Sequence, residues 1–209
     1  MAVSTERTYH STLREEQAHQ TKLRVRKAAR SLFAEQGFAA TTVAQIAKEA
    51  GVAPATVYAT FESKAGIVVG MLDDLEESIE VGPRLREAFD VADARQQLRM
   101  YVSAHCDLFA DGADILRAAM QAIEAPGVAA LMERGDARRR GVIEAFVKGW
   151  HEQEALRAGL SPKAAAERLW LLTTVEGFLN AVDRLGWSAT EYEAWIGDLA
   201  EAEILGPAV

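Results

Sequence analysis

One cysteine, Cys106, stands in a chain of 209 residues, so no internal disulfide can close, and no cysteine–histidine cluster is present to hold a structural metal. Such cysteine usage is expected of a protein that works in the reducing cytoplasm. Long apolar runs are also missing: none approaches the roughly 20 residues needed to cross a bilayer. The opening residues, MAVSTERTYHST, contain no apolar signal core. A soluble, cytoplasmic protein without a membrane partner is expected. Proline is scarce, at five residues, and strand-like alternation of Val, Ile and Thr never persists, whereas apolar residues recur at intervals of three and four. The fold class predicted is therefore all-α. With 49% hydrophobic and 26% charged residues, the composition is that of a globular chain, which excludes collagen-like and wholly disordered proteins.

Positive charge is in deficit as well, with 23 Lys and Arg against 31 Asp and Glu and a net charge of -8. Taken whole, that argues against a nucleic-acid partner, because a duplex rewards basic surface. The deficit is uneven, however. Residues 1–66 carry nine basic against six acidic side chains, or +3, while the remaining 143 carry 14 against 25, or -11. Lys22, Arg24, Arg26, Lys27 and Arg30 lie between Gln20 and Ser31 with no acidic residue among them.

The spacing predicts a first helix from Thr12, where Thr12 and Glu15 can form a capping box, to Gly37, which suits the position just past a helix. Leu23, Val25, Ala29, Leu32 and Phe33 form its apolar stripe, leaving the basic residues to the other faces. Thr42 and Gln45 make a second capping box that opens a short helix Val43–Ala50. Gly51 breaks that helix, and Pro54 takes the first position of a third one ending near Phe61. Ser63 can cap the fourth helix. Longer helices are expected at 64–81, 91–110, 113–125, 128–155, 162–185 and 190–204, punctuated by Gly82-Pro83, Asp111-Gly112, Pro126-Gly127, Gly159, Ser161-Pro162 and Gly186. Ser188 and Glu191 form a third capping box. Two domains are expected, 1–66 and 67–209, joined through the helix 64–81.

Val43 to Thr60 has the spacing of a helix-turn-helix. Ala47 is small where the helices cross, Gly51 takes the turn, and Ile46, Ala50, Val52 and Val57 supply apolar contacts on both sides. A tight turn of this kind can present the N-terminal end of the second helix to a major groove. The run TTVAQIAKEAGVAPATVYATFESKAGIV, preceded by AARSLFAEQGFAA, resembles the DNA-binding domain of the tetracycline-repressor (TetR) family of bacterial transcriptional regulators. The resemblance covers about Leu23 to Val69 and includes Phe33, Gly37, Thr42, Ile46, Ala47, Gly51, Val52, Thr56, Tyr58, Phe61, Ser63 and Lys64. It implies a three-helix DNA-binding domain followed by a six-helix domain that binds an effector and dimerises.

By that resemblance, Thr42 and nearby amides hold phosphate, Tyr58 donates its phenol to phosphate, and Lys64 grips the DNA backbone, with Gln45 on the same side. Each has a structural role open to it as well: Thr42 as a cap, Tyr58 as packing, Lys64 as a solvated charge. Many members open the reading helix with serine and lysine; this chain has Ala53 and Pro54. The helix Pro54-Ala-Thr-Val-Tyr-Ala-Thr-Phe contains no Arg, Lys, Asn or Gln, so the bidentate partners of guanine and adenine are missing. Base readout then falls to Thr56 and Thr60, to methyl contacts from Ala55 and Ala59, and to DNA shape. An N-terminal arm with Arg7 and Arg14, together with the basic face of the first helix, can add phosphate or minor-groove contacts.

The acidic remainder needs another task. Tyr101, His105 and Phe109 share a helix face, followed by Met120, then Phe146 and Trp150, then Trp170, Thr173, Thr174 and Phe178. Aromatic side chains mixed with a few polar groups are what a pocket for a largely apolar ligand uses, and equally what a bundle core uses. In the resembled family the last two long helices build the dimer interface, which here offers Trp170, Gly177, Ala181, Trp195, Ile196 and Leu199. His105, Cys106 and His151 do not form a metal set, because adjacent helix positions point about 100° apart. Arg138-Arg139-Arg140 reads as solvated surface. No cofactor is expected. The function expected is a homodimeric, ligand-responsive repressor that releases a palindromic operator when its effector binds. The alternatives are a DNA-binding protein without an effector and, remotely, an all-helical enzyme.

Overall fold

A computed structural model describes residues 4–78 and 81–207, with side-chain surroundings described for 15–75 and 82–207. Eleven helices occur among the described residues: α1 Ser4–Ala40, α2 Val43–Glu49, α3 Pro54–Phe61, α4 Lys64–Ser78, α5 Val81–Phe89, α6 Ala94–Asp111, α7 Ala113–Gln121, α8 Pro126–Glu152, α9 Pro162–Leu172, α10 Val175–Leu185 and α11 Ala189–Ile204. The remaining pairing is an isolated antiparallel bridge between Leu156 and Leu205. The all-α class is observed. No helix among the described residues is long and apolar enough to cross a membrane.

Eight helices come after the first three where six were expected, and each extra break has a local cause. Gly82 and Pro83 fall in the first turn of α5 rather than in a loop. A proline there removes an amide that the helix start leaves unbonded. The segment expected as one helix over 162–185 is interrupted at Thr173 and Thr174. Thr173 closes α9 with its hydroxyl on the Leu169 carbonyl at 2.8 Å. Thr174, extended at ψ 149°, opens α10 by accepting from the Gly177 amide. Threonine hydroxyls compete with the helix for backbone partners, and two in succession end one helix and cap the next. At the other end, α1 begins at Ser4, so Thr12 lies inside the helix rather than at its start. Good helix formers such as Glu15, Glu16, Gln17, Ala18 and Gln20 precede Leu23.

The chain divides into two compact units: residues 1–74 with 117–131, and residues 75–116 with 132–209. In the first unit the core is built from Val25, Ala28, Ala29 and Phe33 of α1, Val43, Ile46 and Ala47 of α2, Val57 of α3, Ile67, Val68, Met71 and Leu72 of α4, and Ala118, Ala119, Val128 and Leu131. Leu23, expected on the α1 stripe, is instead 40% exposed, two residues before the first buried position, Val25. Arg26 is not a free cation: its guanidinium donates to Asp74 Oδ1 at 2.6 Å and to the Gly70 carbonyl, tying α1 to α4.

In the second unit α6, α9 and α11 pack around Leu98, Tyr101, Val102, Leu169, Ile196, Ala200 and Ile204, with α8 contributing Ile143, Phe146, Val147 and Trp150. Arg95 bonds Glu201 and the Gly206 carbonyl, and Arg99 bonds Asp198 and Glu201, so α6 is tied to α11 by charge as well as by burial.

Candidate nucleic-acid interface

The turn between α2 and α3 forms as its residues dictate. Gly51 has φ 64°, the left-handed conformation that glycine adopts at little cost. Val52 N–H returns to the Ala47 carbonyl at 3.0 Å, which folds the chain back on α2. At the start of α2 the Thr42–Gln45 capping box is complete, with Thr42 Oγ1 accepting from Gln45 N–H at 3.2 Å and Gln45 Oε1 accepting from Thr42 N–H at 2.8 Å. Beyond α3, Ser63 Oγ accepts from Gly66 N–H at 3.0 Å and caps α4.

This frame fixes which side of α3 is free. Val57 is 1% exposed and anchors the helix inward, while Ala53, Pro54, Ala55, Thr56, Tyr58 and Ala59 are exposed, Tyr58 at 53%. Thr42 and Gln45 are exposed at the start of α2. A half-buried Thr60 directs its hydroxyl to the Thr56 carbonyl at 2.8 Å, which leaves only its lone pairs for another partner. Lys64 departs from expectation. Its ammonium donates to the carbonyls of Phe38 (2.5 Å) and Thr41 (2.7 Å) and lies 4.2 Å from the centre of the Phe38 ring. Burial lowers its pKa. With those donors committed inside the unit, Lys64 is a clamp on the turn after α1, not a free grip on DNA. The side chains of Arg7 and Arg14 lie outside the described residues.

Residues 25–71 match the family model for bacterial regulatory proteins of the tetR family. The likeness to that family is a likeness of this segment, less than a quarter of the chain. Over 78 residues it is 37% identical to the HTH-type transcriptional regulator TtgR of Pseudomonas putida, a match spanning 37% of this chain and 37% of TtgR. Likeness to solved structures extends further, as a likeness of fold. A chain from Saccharomonospora viridis solved in complex with choline superposes with a TM-score of 0.71 at 21% identity, over 88% of this chain and 97% of that one. The ketosteroid transcriptional regulator KstR2 of Mycobacterium tuberculosis gives a TM-score of 0.65 at 21% identity, over 88% and 94%. The family model and these relatives are named for regulation, TtgR and KstR2 as transcriptional regulators.

Outside the family's matched segment, the residues expected to line a ligand pocket are packed on one another. Phe146 stacks on Phe89 with ring centres 3.9 Å apart and lies 5.7 Å from Trp150. Tyr101 is 4.2 Å from His105, and Phe109 is 5.8 Å from Phe178. Trp150 is fully buried, its indole N–H donating to Gln97 Oε1 at 2.6 Å. Met120, expected among them, belongs to the first compact unit. One concavity in the second unit is an open cleft of about 500 Å³ lined by Arg95, Arg99, Arg157 and Glu201, and none of the expected ligand residues borders it.

Trp170, Thr173 and Arg139 form one assembly. Trp170 Nε1–H donates to Asp136 Oδ1 at 2.8 Å, and Arg140 lies over its ring at 3.9 Å. Arg139 is not the solvated residue expected of the Arg138–Arg140 run. Its side chain is 12% exposed and donates to the carbonyls of Trp170 (3.0 Å) and Thr173 (2.5 Å), to Thr173 Oγ1 and to Asp136. Burial pushes the Asp136 pKa up, but hydrogen bonds from Arg139, Trp170 and Arg140 outweigh it and hold the carboxyl below its ordinary value. Tyr101 OH sits 3.3 Å from Thr173 Oγ1, and burial pushes its pKa up to about 12.

The residues expected at a dimer interface also separate. Trp195 is 47% exposed and meets Trp187 at 5.4 Å, and Leu171 and Leu185 are more exposed still. Ile196 points the other way and is buried within the chain, as the 100° step from Trp195 requires. Ala181 is buried too, and Leu199 half-buried. At Gly177 an added Cβ would lie 3.0 Å from Tyr192 Oη, so its small size serves the approach of α10 to α11 within the chain.

His105 sits in this core with Nδ1 2.9 Å from the Tyr101 carbonyl, which places the proton of the neutral ring on Nδ1. Burial first, and then the charge of Arg139, lower its pKa from 6.5 to about 4. Between those values the unfolded chain binds a proton that the folded chain refuses, so stability present above the unfolded pKa is lost as the pH falls. The slope expected is about 1.4 kcal/mol per pH unit. Urea unfolding across pH 7 to 4 should show it, and His105→Asn should flatten the profile. An unchanged slope in that variant assigns the acid sensitivity to other groups.

Proposed function

We propose that the chain is a homodimeric regulator that binds a palindromic DNA operator through α2 and α3 and releases it when a largely apolar small molecule binds the second unit. The observation that carries the DNA-binding reading is the exposed face of α3, with Thr56 and Tyr58 outward on either side of a buried Val57. Two-fold symmetry calls for half-sites about 34 to 36 Å apart or a multiple of that spacing. Residues 1–66 serve as the DNA-binding domain and 67–209 as the sensing and dimerising one. Trp195, Leu171 and Leu185 supply the exposed apolar surface that a second copy can cover.

Support for an effector comes from similar folds, one solved with choline and one named for ketosteroids. An effector entering between Tyr101, His105, Phe109 and Phe178 has to part rings now in contact. It therefore favours a second arrangement, which is the differential affinity that release requires. The same packing favours one other reading, a DNA-binding protein without an effector.

A mobility-shift assay on DNA flanking the protein's own gene, repeated with a panel of apolar ligands, separates these. A shift that a ligand reverses supports a repressor, a shift that no ligand changes supports the second reading, and no shift contradicts both. Tyr58→Phe is expected to weaken operator binding about tenfold, the scale of one hydrogen bond to a charged group, without altering dimerisation. Equal affinity in that assay removes Tyr58 from the interface.

A further inference from the structure

The turn that links α1 to α2 is held from three directions. Gly37 interrupts the helix with φ 81°, and Thr41 Oγ1 donates back to its carbonyl at 2.8 Å while accepting from Gln36 Nε2 at 3.1 Å. From α4, Lys64 binds the Phe38 and Thr41 carbonyls. The third holder comes from far along the chain. The Phe38 amide donates to Gln121 Oε1 at 3.0 Å, and a Cβ on Gly37 would lie 3.6 Å from the same oxygen. Gln121 ends α7, outside the segment that matches the family model. Its neighbours belong with it, since residues 117–131 form part of the first compact unit and a Cβ on Gly127 would stand 3.2 Å from Val69 of α4.

We infer that Gln121 is a positioning residue for DNA binding: its carbonyl oxygen fixes the Gly37–Thr42 turn, and with it the start of α2, from a helix outside the DNA-binding segment. The inference rests on the reading of the chain as a DNA-binding regulator. Thr42 is both the last residue of the turn and the N-cap of α2, so the turn's geometry sets where the capping box, and the exposed Gln45 within it, are presented. α7 starts at Ala113 in the second unit and ends at Gln121 in the first. A change in α7 that withdraws Gln121 therefore leaves the Phe38 amide to water and loosens the turn. The bond lies at an exposed position, so water takes its place and the unit stays folded.

The test uses the full chain with Gln121→Met, which keeps the length and removes the acceptor, and Gln121→Glu, which keeps an acceptor oxygen. Amide exchange is monitored at residues 38–46, and operator affinity is measured for the wild type and Gln121→Met. Faster exchange at Phe38 in Gln121→Met, restored in Gln121→Glu, is expected, with operator binding weakened about threefold to tenfold and an unchanged melting temperature. Wild-type exchange and affinity in Gln121→Met overturn the inference alone. A wild-type protein that binds no duplex overturns the functional reading and the inference with it. Fast exchange in both variants overturns the role of the acceptor oxygen.

Discussion

Gly66→Ala is expected to abolish the fold of the helix-turn-helix, because an added Cβ would lie 1.9 Å from the Phe61 carbonyl oxygen and 3.0 Å from its carbon. Gly66 stands in the first turn of α4, and Phe61 is the last residue of α3. The obstacle is therefore backbone, which cannot rotate aside as a side chain can. Overpacking against mobile side chains costs about 1 to 3 kcal/mol, and here the loss should exceed that range. α3 and α4 would have to separate, which moves Tyr58 and Thr56 together with the inward anchor Val57. Urea unfolding of the variant should show a midpoint far below that of the wild type, with operator binding lost. A variant as stable as the wild type contradicts the close approach of α4 to the end of α3.

The second large effect is expected at Arg139→Met, which keeps the length of the side chain and removes the guanidinium. Arg139 donates to the carbonyls of Trp170 and Thr173, and Thr173 is almost fully buried. Two acceptors left without donors cost about 1 to 3 kcal/mol each. Asp136, more than a third exposed, recovers part of its loss from water. A total of about 2 to 4 kcal/mol results from those per-group costs. Arg139→Lys should rescue little, because one ammonium cannot reproduce a planar fork that reaches carbonyls on one side and Asp136 on the other. Chemical unfolding read by tryptophan fluorescence, to which Trp150, Trp170, Trp187 and Trp195 all contribute, measures this loss. A loss within about 0.5 kcal/mol, the range of ordinary surface substitutions, would show that the α9–α10 break holds without the arginine.

Features that short-range rules govern were legible in the sequence. The Thr42–Gln45 and Ser188–Glu191 capping boxes, the positive φ of Gly37 and Gly51, and the Ser161 cap before Pro162 all depend on residues within a turn of one another. The exposed face of α3 was legible for the same reason, since Val57 is its one strongly apolar residue before Phe61. Roles that depend on a distant partner were not. Arg138, Arg139 and Arg140 are alike in sequence, and only the placement of α9 selects Arg139 to meet its terminal carbonyls. Lys64 looked like a phosphate ligand because nothing nearby announces the three carbonyls of the 38–41 turn around it. Thr173 and Thr174 were visible as polar residues in an apolar stretch, yet ligand contact and helix termination ask for the same residue type. Gly66 gives no conformational signal, because its requirement is purely the space taken by the Phe61 carbonyl.

The charge division completes the physical picture. Under the proposed function, the basic surplus in residues 1–66 contributes an attraction to DNA that salt should screen, while the acidic surplus of residues 67–209 disfavours nonspecific binding there. Part of that surplus is internal: Lys64 binds carbonyls and Arg26 pairs with Asp74. The outward cations are fewer than the sequence suggests, so under that proposal affinity rests on hydroxyl, amide and methyl contacts from α2 and α3 as much as on charge.

Selection of bound duplexes from a random DNA library by the 209-residue chain tests the central claim most directly. The account predicts enrichment of a two-fold symmetric sequence, with binding that weakens steeply as salt rises and is lost in Gly66→Ala. Recovery of no preferred sequence, or of the same preferred sequence by wild type and Gly66→Ala alike, would contradict it.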